Sequence, residues 1–438
     1  MDWVSLVPVA LLFILILLMI LKGQHAWKSH ARENFPPGPR PLPIIGNLHI
    51  MNLKKPHLTM LELSKTHGSV FSIQMGLRKT VVLSGYETVK EALVNQADAF
   101  AGRPKLPVFE EVSKGKGVIF SAGENWKVMR RFTLTTLRDF GMGKKAVEDR
   151  VVEEYGCLAD TIESHKGKPI EMTLMVNAAV ANVIVSILLG KRYDYEDPTF
   201  KRLLELVNKS MRIVGRPSVL EKGKANGYFD NENLTEVVRN LFVAGMETTS
   251  TTLLWGLLLM MKYPEIQRKV QEEIEQVIGS NPPRIEHRIQ MPYTDAVIHE
   301  IQRFANIVPL NLPHETTADV TLKGYFIPKG TYIIPLLASV LRDKSHWEKP
   351  DNFYPEHFLD SEGKFVKKEA FIPFSAGRRS CAGETLAKME LFLFFTSLLQ
   401  RFTFQPPPGV SITDLDLSPA AGGISSPVTY EVCAVPRS

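Results

Sequence analysis

The chain has 438 residues, of which 44% are hydrophobic and 23% charged, a composition that suffices for a globular protein with a sizeable core. Its net charge of +5 is modest, and apart from that charge nothing in the sequence favours nucleic-acid binding. The three cysteines are too few and too scattered for a disulfide framework, which indicates a reducing compartment. No internal repeat or low-complexity linker divides the chain, so we expect one main domain.

Residues 1–22 are predicted to form a membrane anchor. Trp3 to Leu21 are 19 consecutive positions without a charge, long enough as a helix to cross most of the hydrocarbon core of a bilayer. A cleaved signal peptide is the alternative, but Asp2 stands where such a peptide carries basic residues and no clear cleavage site follows.

Residues 23–48 are predicted to be a basic, proline-rich linker. Lys22, Lys28 and Arg32 follow the apolar span, and this positive charge keeps the rest of the chain on the cytoplasmic side. The repeated prolines of residues 36–43 resist helix and strand alike, so this stretch should act as a semi-rigid spacer before the main domain, residues 49–438.

The main domain is predicted to be mainly α with a minor β-sheet region. Apolar periodicity and turn signals predict strands at 70–74 and 80–83, a helix at 87–95, and strand character at 319–335 and 425–436. Longer helices are predicted at 124–138, 145–163, 172–190, 198–212, 234–262, 265–278, 294–304 and 384–401.

The loop at 374–384 brings one cysteine to the start of the last predicted helix. Cys381 would lie at the helix N-terminus, where the dipole and free N–H groups stabilise a thiolate. Gly377 and Gly383 permit close backbone approach or positive φ, and Arg379 offers a charge to a carboxylate. These residue types predict a haem-thiolate site with Cys381 as the iron ligand. A buried structural cysteine is the alternative.

Trp126 and Arg130 lie four residues apart on the helix predicted at 124–138, so both project from one face. An indole N–H and a guanidinium are donors without acceptor capacity, which suits a carboxylate such as a haem propionate. The alternative is a surface tryptophan packed beneath an arginine stem.

The longest predicted helix is expected to begin at Asn233 as its N-cap, with Glu236 three residues on. Gly245 in its middle costs roughly 1 kcal/mol relative to alanine, which is understandable if a small molecule such as dioxygen must approach the backbone there. Thr248 lies one turn beyond Ala244. Its hydroxyl either bonds back to the preceding turn, as helical threonines ordinarily do, or holds dioxygen and a relay water.

Glu300 and Arg303 share a face of the helix predicted at 294–304. A buried carboxylate beside a guanidinium is tolerated only when both are fully hydrogen-bonded, so the pair is predicted to be structural. The alternative is a surface ion pair worth about 0–1 kcal/mol.

Together these motifs resemble those of the cytochrome P450 superfamily. Residues 374–383 match every fixed position of its cysteine motif, Phe-x-x-Gly-x-Arg-x-Cys-x-Gly, beginning with Phe374. The Ala-Gly-x-x-Thr motif fits residues 244–248, and the Trp-x-x-x-Arg and Glu-x-x-Arg pairs are also present. The sequences Phe-Ala-Gly-Arg at 100–103 and Phe-Ser-Ala-Gly at 374–377 are similar to those of microsomal family 2, in particular the fish subfamily K. The resemblance implies the helix-rich fold of that family around haem.

The resemblance also implies a role for each site residue. Haem b would be the cofactor, with the Cys381 thiolate as axial ligand, and dioxygen would be the co-substrate. Thr248 would manage oxygen and protons with help from Glu247, and an exposed or paired Glu247 is the alternative. The implied propionate contacts are Arg103, Trp126, Arg130, His314 and Arg379. The further residues implied to adjoin the cofactor are Ala244, Gly245, Phe374 and Gly383. The residues implied to hold the core are Glu300, Arg303 and His357.

A basic cluster near the Trp–Arg pair is predicted to attract an acidic redox donor, although a solvated charged face is the alternative. Its members are Lys127, Arg131, Arg138, Lys144 and Lys145. The resemblance implies NADPH–cytochrome P450 reductase as the donor, a b-type cytochrome as a helper, and contact with membrane lipid. It places the chain in the endoplasmic reticulum membrane with the catalytic domain on the cytoplasmic side.

One region departs from the family pattern. Only about twenty residues separate the helix that ends near Arg212 from Asn233, and two more long helices do not fit there at about 1.5 Å per residue. The family places the rest of helix F, the F–G loop and helices G and H in this region, where they roof the substrate cavity. We therefore expect a deletion with its join near Leu220 and Glu221.

The sequence as a whole predicts a membrane-anchored haem-thiolate monooxygenase. It would insert one atom of dioxygen into a lipophilic substrate (a fatty acid, steroid or xenobiotic) with electrons from NADPH. The alternative is a non-catalytic haem-binding variant that lost the roof of its cavity, and a third outcome is an unstable chain that never assembles with haem.

Overall fold

A computed structural model describes residues 34–105, 110, 113–213 and 230–437, without the side chains of 206–213. The predicted anchor, the first part of the linker and the expected join at Leu220–Glu221 lie outside these residues. Among the residues that are described, no helix is long and apolar enough to span a membrane.

The chain divides into two compact units. Among the described residues, the first contains 34–104, Leu310–Val340 and Ala376–Arg379, and the second contains 105, 110, 113–213, 230–309, Leu341–Ser375 and 380–437.

The first unit is built around a four-stranded sheet. Its strands β1 (Val70–Met75), β2 (Arg78–Leu83), β4 (His314–Glu315) and β7 (Tyr332–Pro335) lie in the order β1-β2-β7-β4. β2 pairs antiparallel with β1, as the tight turn at Gly76 requires, and parallel with β7. A second hairpin joins β5 (Val320–Leu322) to β6 (Tyr325–Ile327).

Apolar side chains of the sheet form the core of the first unit. Phe71, Ile73, Val82 and Ile334 pack with Met60 of helix α1 (Pro56–His67). A short helix α2 (Tyr86–Lys90) continues into a π-helical turn at Glu91–Asn95. Four consecutive residues are buried in each of β1 (70–73) and β2 (80–83), so both faces of these strands are covered.

The second unit is mainly helical. Its helices are α3 (Gly123–Asp139), α4 (Lys145–Ser164), α5 (Thr173–Leu189), α6 (Pro198–Ile213), α7 (Asn231–Lys262), α8 (Pro264–Val277), α9 (Pro292–Ala305) and, after the short α10 (Leu337–Leu341) that begins in the first unit, α11 (Glu384–Arg401). Its strands are β3 (Ile170–Glu171), β8 (Phe402–Gln405) and β9 (Glu431–Pro436), in the order β3-β9-β8. This helix-rich architecture with small sheets agrees with the predicted fold class.

Helix α7 runs through the core of the second unit. Every residue from Thr249 to Met261 is buried, and the hydroxyls of Ser250 and Thr252 donate to backbone carbonyls one turn earlier, so these polar groups are hydrogen-bonded inside the core. The prediction that Asn233 caps the helix is wrong. The helix begins three residues earlier than predicted, at Asn231, and its N-cap is Asp230, whose Oδ1 accepts from the Asn233 N–H at 2.6 Å.

Candidate functional site

The Cys381 loop ends at the N-terminus of α11, as predicted. The Cys381 N–H donates to the Phe374 carbonyl at 3.0 Å, and Gly383 is the N-cap of the helix. Cys381 is accessible to solvent, yet desolvation by the surrounding protein raises the pKa of its thiol. The Gly383 N–H and Arg130 act in the opposite direction and lower that pKa. At this helix N-terminus, burial thus opposes the stabilisation of the thiolate by the Gly383 N–H.

A cavity of about 490 Å³ lies within the second unit beside Cys381. Four cationic side chains help to line it: Arg130, Arg138, Arg288 and Lys388. Arg288 and Lys388 are paired with Asp295 and Glu384 at 2.8 and 2.6 Å. The five residues of the predicted basic cluster are all exposed, and one of them, Arg138, belongs to this lining.

Trp126 and Arg130 do lie on one face of α3. The Arg130 guanidinium is 5.9 Å from the centroid of the buried Trp126 ring, and its Nη2 donates to the Ser380 carbonyl at 2.7 Å. Arg130 therefore packs on a buried tryptophan, not on a surface one, and also fixes the residue that precedes Cys381.

The other three predicted propionate contacts form a cluster in the first unit. Arg103, His314 and Arg379 are all buried. Each donates to a backbone carbonyl: Arg103 Nη1 to Pro313 at 2.7 Å, His314 Nδ1 to Phe100 at 2.7 Å, and Arg379 Nε to Ala101 at 2.8 Å. Burial and the two guanidinium groups hold the pKa of His314 well below its usual range, although the bond to Phe100 opposes this.

His314 provides a test of whether this cluster fits a haem carboxylate. A carbonyl oxygen can only accept, so Nδ1 carries the ring proton of the neutral imidazole. Nε2 is buried and has no hydrogen-bond partner among the described residues, and such a group costs about 1–3 kcal/mol. The two arginines beside it suit a negatively charged group, whereas the lone pair of the neutral Nε2 can only accept a hydrogen bond.

The two glycines of the cysteine motif differ in what they tolerate. Gly377 has φ of 73°, and a Cβ at this position would lie 1.7 Å from the Leu93 carbonyl oxygen, so only glycine fits. Gly383 has an ordinary φ of −95°, and a Cβ there would lie 4.0 Å from Cys381 Sγ. Close backbone approach therefore explains Gly377 but not Gly383.

The Ala-Gly-x-x-Thr motif lies on α7 where the helix is half-exposed. Thr248 Oγ1 donates back to the Ala244 carbonyl at 2.7 Å, which is the ordinary behaviour of a helical threonine. A Cβ at Gly245 would lie 2.7 Å from Cδ1 of Ile184 on α5. The close approach at Gly245 is thus made by a neighbouring helix, and Glu247 lies half-buried beside Thr248.

Glu300, Arg303 and His357 come together in the core of the second unit. Both charged side chains are fully buried, and they form two hydrogen bonds of 2.7 Å. Arg303 also donates to the carbonyls of Leu341, Pro350 and Asn352. His357 Nε2 accepts from a backbone N–H, so Nδ1 is the donor to Glu300 Oε2 at 3.2 Å. The surface alternative for this pair is excluded.

Sequence reasoning missed Glu390 on α11. Its side chain is fully buried, and burial raises its pKa to about 8 although the bond from Thr249 Oγ1 at 3.2 Å lowers it. The signal was present, because Glu390 is an acidic residue between Met389 and Leu391 in an apolar helix.

Comparison with known proteins gives a consistent match. The model of the family described as "Cytochrome P450" matches residues 36–221 and 217–434. Cytochrome P450 2K1 of Oncorhynchus mykiss is 46% identical, over 97% of this chain and 96% of its own. Cytochrome P450 2K6 of Danio rerio is 47% identical over 91% and 90%, and cytochrome P450 2G1 of Rattus norvegicus is 42% identical over 94% and 96%.

The same comparisons bear on the length of the chain. The alignment with the 2K1 protein spans 486 positions, whereas this chain has 438 residues, so at least 48 residues of that relative have no counterpart here. The family model matches two segments of this chain, and the two segments overlap at residues 217–221.

Proposed function

Because the chain belongs to the cytochrome P450 family, within microsomal family 2 and similar to the fish 2K proteins, we propose that it is a haem-thiolate monooxygenase of the endoplasmic reticulum. It would act on a lipophilic substrate such as a fatty acid, steroid or xenobiotic. The observation that carries this proposal is the accessible Cys381 at the N-terminus of α11, beside a cavity, in a loop that matches the whole cysteine motif of the family.

The residues present fit haem b. Cys381 would ligate the iron, and the Gly383 N–H that bonds its sulfur would stabilise the thiolate. The two donor clusters, Trp126 with Arg130 and Arg103 with His314 and Arg379, would hold the propionates. When bound, a haem with a thiolate ligand supplies the capacity to cleave dioxygen. The Glu300–Arg303–His357 network would keep the core rigid.

Thr248 and Glu247 are proposed to handle protons. The Thr248 hydroxyl donates to the Ala244 carbonyl, so in this rotamer its lone pairs can only accept a hydrogen bond from a water or a protonated group. Donation toward dioxygen requires rotation of the side chain away from Ala244. The half-buried carboxyl of Glu247 can then return a proton to the threonine or its water.

The partners follow from charge and family. The exposed basic cluster on α3 and the start of α4 would receive an acidic reductase that carries electrons from NADPH, with a b-type cytochrome as an additional donor. An N-terminal span would anchor the chain in membrane lipid.

The missing residues favour a second candidate, a haem-binding variant without turnover. We propose that the absent segment lies at the join near Leu220 and Glu221 and corresponds to the roof of the substrate cavity. An open cavity admits water, and this water would uncouple the reduction of dioxygen from attack on the substrate.

The test of haem ligation is the carbon monoxide difference spectrum of the reduced full chain in membranes, beside a Cys381→Ala control. A far-red-shifted Soret band that the control lacks supports thiolate ligation. A band typical of a neutral ligand, or none, contradicts the proposal.

Turnover separates the two candidates. With reductase, NADPH and a panel of lipophilic compounds, product formation matched to NADPH consumption supports the monooxygenase. NADPH consumption that yields only peroxide or water, in a protein with the thiolate spectrum, supports the variant without turnover.

A further inference from the structure

The cluster of Phe100, Arg103, His314 and Arg379 has a fixed hydrogen-bond direction at its histidine. The Phe100 carbonyl is 2.7 Å from Nδ1 and can only accept, so the proton of the neutral ring is committed to Nδ1. The other nitrogen, Nε2, is buried and carries only a lone pair, with no partner among the residues described.

A carboxylate cannot be held by this lone pair, because two acceptors repel each other. Retaining the bond to Phe100 while bonding a carboxylate at Nε2 requires protons on both ring nitrogens, which is the imidazolium form. Burial and the guanidinium groups of Arg103 and Arg379 oppose that form, because they lower the pKa of His314. A carboxylate that binds among them supplies the negative charge that makes it favourable.

We propose that the binding of a porphyrin propionate at this cluster draws one proton from solvent onto His314 Nε2, so that cofactor loading of this chain depends on pH. The propionate stays ionised, and neutral His314 becomes the imidazolium that donates to it. This inference rests on the proposed function and adds a regulation of the same site.

Of the ionisable groups around the propionate site, only His314 is expected to change its charge in the physiological pH range. Arg103 and Arg379 stay charged throughout the physiological range. Tyr332, on the adjacent strand β7, has its pKa raised to about 12 by burial and stays neutral. Glu315 follows His314 in the same strand and therefore points to the opposite face.

The experiment uses iron-free protoporphyrin IX, which carries the propionates but offers no iron to Cys381. The full chain, stripped of haem and held in detergent micelles, is titrated from pH 6.0 to 8.5 with porphyrin absorbance as the readout. Calorimetry in phosphate and in Tris then gives the number of protons taken up. We expect uptake of about one proton per porphyrin, and an affinity that falls up to about tenfold per pH unit as the pH rises.

Two variants isolate the histidine. The amide nitrogen of glutamine occupies roughly the place of Nε2, so His314→Gln should bind porphyrin at all pH values without proton uptake. The amide nitrogen of asparagine matches Nδ1, so His314→Asn should keep the Phe100 bond but bind weakly, also without pH dependence. The inference is overturned if the wild type takes up no more protons than His314→Gln.

Titration with haem itself distinguishes failure of the pH coupling from failure of the proposed function. Thiolate ligation by Cys381 together with equal proton numbers for wild type and His314→Gln rejects only the pH coupling. Failure to bind either haem or iron-free porphyrin rejects both the coupling and the proposed function.

Discussion

Glu390 shows how a single side chain links stability to pH. It lies on α11 in the core, and a single hydrogen bond to its carboxyl is described, from Thr249 at 3.2 Å. Burial raises its pKa to about 8, so the folded chain holds this proton where the unfolded chain has already released it. The group therefore contributes stability that is fully present below about pH 4.5 and is lost as the pH rises to about 8.

We predict that Glu390→Gln removes this dependence, because the amide keeps an acceptor for Thr249 but has no proton to lose. Between pH 5 and 8 the unfolding free energy of the wild type should fall more steeply than that of the variant, by up to about 1.4 kcal/mol per pH unit. Urea denaturation of the detergent-solubilised chain measures both. Glu272→Gln, on the exposed face of α8, is the control, and parallel curves for all three proteins would reject the prediction.

The two glycines of the cysteine loop give a matched pair of substitutions. Gly377→Ala places a Cβ 1.7 Å from the Leu93 carbonyl at a positive φ, so the loop must move. Gly383→Ala meets only Cys381 Sγ at 4.0 Å. We predict that the first variant loses most of its bound haem, measured as the ratio of Soret to protein absorbance, whereas the second keeps nearly all of it. Similar haem content in both would show that backbone approach at Gly377 does not matter.

At the scale of the elements, long periodic helices were predictable and short or polar ones were not. The helix predicted at 384–401 has those bounds in the structure, and α3 differs by one residue at each end. Helix α1 was missed because its apolar residues are not confined to one face, and β8 was missed because a four-residue strand is defined by its pairing with β9. The N-cap of α7 was misplaced because Asp230 and Asn233 both suit a cap and only geometry distinguishes them.

The Glu300–Arg303 pair ties helix α9 to the segment that follows α10. We predict that Arg303→Ala destabilises the chain by about 3–5 kcal/mol, because it leaves a fully buried carboxylate without its cation. Thermal unfolding monitored by circular dichroism should show a large loss or no folded protein at all. The exposed pair of Glu62 and Lys65, also at i and i+3, is the control, and Lys65→Ala should cost less than about 1 kcal/mol. Equal losses in the two variants would contradict this account.

At the scale of the whole molecule, a feature was predictable when its residues are close together in the sequence. The cysteine motif and the Glu300–Arg303 pair were visible in the sequence because each is a fixed spacing on one loop or helix. The proton on Nδ1 of His314 is fixed by Phe100, and the carboxyl of buried Glu390 is bonded by Thr249. Both partners lie more than a hundred residues away in the sequence, so no local pattern reveals these contacts. The contact between Ile184 and Gly245 joins two different helices, so no pattern within α7 reveals it, and the glycine was attributed to a ligand.

The basic cluster makes a prediction about association with the reductase. Arg138→Glu with Lys144→Glu should slow reduction by NADPH–cytochrome P450 reductase at least about tenfold at low salt and flatten its dependence on ionic strength. Stopped-flow reduction under carbon monoxide measures the rate. The control is the double variant Arg268→Glu with Lys269→Glu. Both residues are exposed on α8 and do not line the cavity at Cys381, and the change in net charge is the same. If both double variants slow equally, the effect is one of net charge and not of a docking surface.

The parallel pairing of β2 with β7 has a consequence for how the chain is made. β2 ends at Leu83, and its partner begins at Tyr332. At about 5–20 residues per second, a ribosome needs roughly 12–50 s to supply the missing strand. During that time one edge of the β1–β2 hairpin remains open, and an open strand edge is a site for pairing with the wrong chain. The growing polypeptide should therefore depend on chaperones that shield this edge until translation has passed residue 335.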